Sequence, residues 1–340
     1  METPLRTRAL LAVLLLLAVL FPLAAPNSYY IYVMSLAYIM GLSAVGLNLI
    51  LGYTGQLNLA HAGFMAVGAY TVGILTVDHG VPFWIAFALS GVVAGALGFL
   101  AGIVSLRLKT HYFVIFTLCV GFILYLVIEK FEWLTHGTVG VIGIPAPPSI
   151  GPISFETPVA QYYLVLVFLC AALWVMHRIV RSLLGRAFVA IRNSEDLAEA
   201  LGVNLMRTKV LAFVLSTVYA GLAGGLYAGF VRFLGPSIAL ESHTFELVTF
   251  ILVGGIGTLF GPVLGALVLT WVTQSLQFLQ DFRMIVFGPM LILLVMYFPQ
   301  GLIGFVNERR ARRAAEAARA RRERTAQDNR QRNGEARVNA

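Results

Sequence analysis

The sequence predicts an all-α polytopic membrane protein, with about eight transmembrane helices plus one broken, re-entrant pair. Three observations carry this reading. The 340-residue chain is 59% hydrophobic and 12% charged, whereas a soluble domain carries about 25% charged residues. The apolar residues form long uncharged runs, and residues 9–77 contain no Asp, Glu, Lys or Arg. The formal charge of +8 is concentrated at one end: from Asn307 onward there are eleven Arg against five acids, which leaves the body nearly neutral. The basic balance therefore belongs to the tail and gives no reason to expect nucleic acid as a partner. Cys119 and Cys170 both lie in apolar runs, and two thiols build neither a disulfide framework nor a thiolate metal cluster.

The run 9–77 would be roughly 100 Å long as one helix, against a bilayer core of about 30 Å. It must fold back on itself. Pro22, Pro26 and Asn27 break it once, and Gly52-Tyr53-Thr54-Gly55 breaks it again. This gives spans near 9–25, 30–51 and 57–77. Arg6 and Arg8 before a Leu-rich stretch also suit a cleaved signal peptide, but Ala24-Ala25 is a poor cleavage site and a retained helix is expected.

Further spans are expected near 79–106, 110–128, 157–177 and 210–231, and a last one near 284–305. Residues 133–155 are uncharged too, but Pro145, Pro147, Pro148 and Pro152 make them a loop. The run 247–280 is too long for one simple crossing and contains Gly254-Gly255-Ile256-Gly257-Thr258-Leu259-Phe260-Gly261-Pro262. Basic residues favour the cytoplasmic side. They crowd residues 178–209 and the tail, and flank the fourth span at Arg107 and Lys109. Both termini then lie inside, provided that 247–280 enters from outside, breaks at its glycines and returns. The chain divides into a membrane domain, 1–306, and a basic tail, 307–340, that is disordered or partly helical and suited to anionic lipid.

Helices broken at mid-membrane expose backbone groups that can meet a polar solute. Two such stretches point to a solute path. The first offers Asn48, Tyr53, Thr54, Gln56, Asn58 and His61, and the second Gly254, Gly255 and Gly257. The same polar groups also serve as glue between helices. Small-residue steps at Gly91/Gly95, Gly98/Gly102 and Gly221/Gly225/Gly229 read as tight helix packing.

Outside the membrane, the loop 178–209 is the most informative segment. Ser194 is a good N-cap, Glu195 and Asp196 favour a helix start, and Gly202 fits a stop. A short surface helix is expected near 195–201. No phosphate-binding loop is present, since Leu108 stands where Lys109-Thr110 would need a glycine, and no His-Glu-x-x-His zinc motif occurs. An ion-coupled transporter usually carries carboxylates within its spans, and Glu246, at the edge of a run, is the nearest to one.

Three blocks together resemble the permease subunits of branched-chain amino acid ABC importers, of the LivM type. They are Gly46 through Phe64, then Gly185-Arg186-Ala187 through Ala198-Glu199-Ala200-Leu201-Gly202 and on to Ala212-Phe213, then Gly254-Gly255-Ile256-Gly257-Thr258 with Gly261-Pro262, followed by Pro299-Gln300-Gly301-Leu302. The resemblance covers about residues 30–306. It implies an importer permease bundle that is not itself an enzyme and holds no cofactor or metal. ATP and Mg would be held by two partner ATPase subunits. It further implies a second related permease, a periplasmic binding protein and a bacterial inner-membrane location. Leucine, isoleucine and valine are the implied solutes, with urea, amides or other amino acids as the alternative. Gly185, Arg186, Arg192, Glu195, Asp196, Ala198, Glu199, Ala200 and Gly202 would form the contact through which the ATPases drive the bundle.

Overall fold

A computed structural model describes residues 5–105, 110–149 and 154–275, together with Gly301 and Gly304. The expected span at 284–305, the flanking Arg107 and Lys109, and the basic tail lie outside the described residues.

The described chain is a bundle of helices. In order they are α1 (Leu5–Ala24), α2 (Ser28–Asn48), α3 (His61–Val77), α4 (Phe83–Ser105), α5 (Thr110–Lys130), the short α6 (Glu132–Thr135), α7 (Pro158–Arg181), α8 (Leu183–Asn193), α9 (Glu195–Ala200), α10 (Leu205–Val231), α11 (Glu241–Gly254) and α12 (Gly261–Ser275). Five segments are long and apolar enough to cross a membrane, those of α2, α4, α5, α7 and α10. Shorter apolar helices fall in α1 and α3. All seven coincide with expected spans. One addition to the all-α expectation is a minimal sheet, in which β1 (Val141–Ile142) pairs antiparallel with β2 (Phe233–Leu234).

Local chemistry fixes the ends. Asn27 accepts from the backbone of Tyr29 and Tyr30 to start α2. Thr157 caps α7 with Pro158 in its first turn, and Asn204 caps α10 through Arg207 N. Such side chains satisfy orphan N–H groups that lipid cannot.

α2 is the central post. Its most apolar stretch is 83% buried, against 22% for α5. α4 lies antiparallel along α10, and the small-residue steps form that seam. Gly95 faces Val218, Gly98 faces Thr217, Gly221 faces Ser90 and Ala94, and Gly229 faces Phe83. A Cβ at any of these positions would overlap its neighbour, which is why backbone approach here needs glycine. On the other side of α10, Gly224 packs on the backbone of Met65 in α3.

Two boundaries depart from expectation. α3 starts at His61 rather than residue 57, because the Asn58 side chain accepts from Ala60 N and Leu59 N donates to Thr117 of α5. These bonds hold the chain out of helix for one more turn. The segment 183–193, read as part of a basic loop, is a helix whose Gly185, Phe188 and Ile191 are buried at helical spacing.

Candidate functional site

The two glycine breaks meet each other. After Asn48 the α2 backbone widens into a π turn, Leu49–Tyr53, then runs without helix to Ala60. Such widened turns recur at functional sites. In the other stretch, α11 ends at Gly254, Gly255 and Gly257 take positive φ of 121° and 70°, and α12 begins at Gly261. Asn48 joins them. Its Nδ2 donates to Thr258 O at 2.8 Å and its Oδ1 accepts from Gly257 N at 3.0 Å. One buried amide thus satisfies two backbone groups that the break exposes.

Gly52 lies beside Asn48 Oδ1 and the Gly257 backbone, leaving no room for a side chain. Its carbonyl accepts from Nη1 of Arg192, in the last turn of α8. Arg192 also packs against Gly55, whose φ of 79° suits glycine. Hence the Gly52 side of the junction reaches α8, while the far end of the first break, at Leu59 and Ala60, packs on Thr117 and Gly121 near the middle of α5.

Gln56 stays with the first break, its backbone N–H donating to Ile50 O of the π turn at 2.9 Å. Gln56, Asn58 and His61 are all buried. His61 Nε2 lies 3.0 Å from Ser43 O, and Nδ1 lies 3.5 Å from Ser216 Oγ. Thr54 Oγ1 donates to Leu49 O, and Tyr53 is buried. Among the described residues, Gln56 Oε1, Asn58 Nδ2 and Ser43 Oγ are buried without a hydrogen-bond partner. Unpaired buried polar atoms are uncommon and call for a reason. Sequence reasoning overlooked Ser43, Thr117, Ser216 and Thr258, because each acquires its partner only through the fold.

The α8–α9 pair is built from local signals. Ser182 caps α8 through Gly185 N, which packs on the Val180 backbone. Ser194 caps α9 through Leu197 N at 3.3 Å. Gly202, at φ 84°, closes α9 with its N–H on Glu199 O at 2.8 Å. Glu195 pairs with the buried Lys209 of α10 at 2.6 Å, and Ala198 is buried beneath. Arg186, Asp196, Glu199 and Ala200 are exposed. So are Leu183 (75%), Leu197 (61%) and Leu201 (74%), which give the pair a bare apolar face. Of the expected coupling residues, Gly185, Glu195 and Ala198 anchor the pair, while Arg192 reaches the glycine junction.

A family model described as the permease component of a branched-chain amino acid transport system matches residues 29–295. The chain belongs to that family. The permease is 31% identical to the high-affinity branched-chain amino acid transport system permease protein LivM of Salmonella typhimurium, over 88% of this chain and 75% of the relative. It is 29% identical to the autoinducer 2 import system permease protein LsrC of an Enterobacter species, over 81% of each chain. It is 25% identical to LivH, a second permease protein of the Escherichia coli branched-chain system, over 77% of this chain and 90% of that one. No solved structure matches it. The permease is thus a multi-pass membrane protein, and its family match spans both glycine breaks and the α8–α9 pair.

Proposed function

We propose that this permease forms part of the translocation path of an ATP-driven importer for branched-chain amino acids in a bacterial inner membrane. The observation that carries the reading is the continuous link from α8–α9 through Arg192 to Gly52, and through Asn48 to Gly257. A helix pair outside the spans, bearing a bare apolar face, is thereby tied to the two places where the membrane helices are broken.

The bare face of α8–α9 suits insertion into a groove of a partner. We take that partner to be an ATPase subunit, two of which hold ATP and Mg2+. The positive-inside bias puts this end in the cytoplasm, where ATP is available. Closure of the ATPases would displace α8–α9, and Arg192 would carry that displacement to the breaks. A ligand on one chain then biases a two-state element in another. The solute would come from a periplasmic binding protein, and a second permease would complete the path. Leucine, isoleucine and valine are the favoured solutes, because LivM relatives match more of the chain than the LsrC relatives do.

The test is affinity purification of the tagged permease from mild-detergent membranes, with mass spectrometry of what stays bound. Two ATPase chains and a second permease are expected. The associated binding protein would then be titrated with leucine, isoleucine, valine and urea. A lone chain, under conditions that preserve other such complexes, would overturn the proposal.

A further inference from the structure

Sequence reading left Glu246 as the nearest carboxylate to the membrane interior, but the fold places Glu241 at mid-depth. α11 does not start at the end of the bundle. After α10 the chain pairs as β2 and dips inward through a 3-10 turn, Pro236–Ala239, before α11 begins. Thr244 Oγ1, one turn into α11, accepts from Ala62 N at 3.0 Å, in the first turn of α3. Glu241 lines a groove with Leu118, Cys119, Phe122 and Ile123 of α5. α5 runs from Thr110 to Lys130, about 30 Å at 1.5 Å per residue, and those four residues straddle its middle. Glu241 therefore lies near the centre of the apolar core.

It is also exposed, with no hydrogen bond or ion pair among the described residues. Its neighbours on α11 extend the polar surface: Ser242 and Glu246 are exposed, and Glu246 is paired with His243 at 3.4 Å. α5 beside it is the least buried of the five long spans, with Ile115 60% and Phe122 51% exposed. The outward face of α4 is different. It presents residues such as Val92, Leu100 and Val104 and no polar side chain, as a surface facing lipid should. Carboxylates at mid-depth face protein or a water-filled cavity, not lipid.

We propose that the α5–α11 face is the surface on which a second, related permease docks, with Glu241 in a hydrated seam between the two. This rests on the importer reading above. Another membrane chain suits a face at this depth, since the ATPases are assigned to the α8–α9 end and the binding protein to the opposite one. The relatives supply the kind of chain: LivM and LivH are two different permeases of one named transport system, and both match this sequence.

The experiment uses the purified full complex in lipid, with a photo-crosslinking benzoyl-phenylalanine at Phe122 or, as a control, at Leu100. The Phe122 probe should give an adduct with the second permease, at tenfold or greater yield over the Leu100 probe. Lipid adducts alone at Phe122, equal yields, or an adduct with another copy of this chain would overturn the assignment. If ATPases and a second permease co-purify while Phe122 contacts only lipid, this surface is wrong and the importer reading stands. If no partner co-purifies and no permease adduct forms, both fall. A second readout addresses the seam. In a Cys119→Ser, Cys170→Ser background, Glu241→Cys should react with a charged methanethiosulfonate at least tenfold faster than Leu100→Cys, and equal rates would contradict a hydrated seam.

Discussion

Asn48 and Ser43 are both buried polar residues of α2, yet they carry very different weight. Asn48 satisfies two backbone groups at the second break, and a buried group left unpaired costs about 1–3 kcal/mol. Asn48→Ala should therefore lower the stability of the detergent-solubilised permease by about 2–4 kcal/mol, since two such groups are orphaned. Ser43 Oγ has no partner to lose among the described residues, so Ser43→Ala should change the unfolding temperature little. Thermal unfolding of the two variants in parallel checks this, and an equal drop would mean that the clamp has no special role. The same scale shows what the sequence could reveal. Asn48 and the glycines stand out as polar or flexible residues in apolar runs. That Asn48 would hold Gly257 does not, because 209 residues separate them and no local pattern encodes the pairing.

At the scale of elements, α9 is only six residues long, so its ends govern it. Removing an N-cap typically costs about 1 kcal/mol, and Ser194→Ala should loosen α9 enough to raise its amide exchange without unfolding the bundle. Leu197→Ser, on the bare face, should leave the fold intact and weaken ATPase association about tenfold, roughly 1.4 kcal/mol. Unchanged association, measured by surface plasmon resonance on the solubilised permease, would move the docking face elsewhere. The Glu195–Lys209 pair ties α9 to α10. Breaking it by Glu195→Ala leaves a buried ammonium, at about 1–2 kcal/mol; a fully dry pair would cost roughly 3–5 kcal/mol, but Glu195 is 42% exposed. The cap, the acidic start and the glycine stop of α9 were legible because each is local. α8 was not, since its Arg residues and short length resembled a loop, and its buried stripe has meaning only against α7 and α10.

At the scale of the whole molecule, length decides what each arm can do. α11 has 14 residues, about 21 Å of helix against a core of about 30 Å. α11 therefore needs the inward dip before Glu241 to reach the Arg-rich end. The order of helices could be read from uncharged runs alone, whereas the depth of Glu241 could not, because it follows from a non-helical entry. Packing along α10 sets the tolerance of the bundle: Gly98→Val has Thr217 in its way and should abolish the monodisperse peak of the permease on size exclusion. The most direct test of the account concerns the link from α8 to the breaks. Leucine uptake and ATP hydrolysis should be measured in the same proteoliposomes for the native complex and for Arg192→Ala. The account predicts that Arg192→Ala assembles and hydrolyses ATP, yet moves at least tenfold less solute per ATP. An unchanged ratio of uptake to hydrolysis would contradict it.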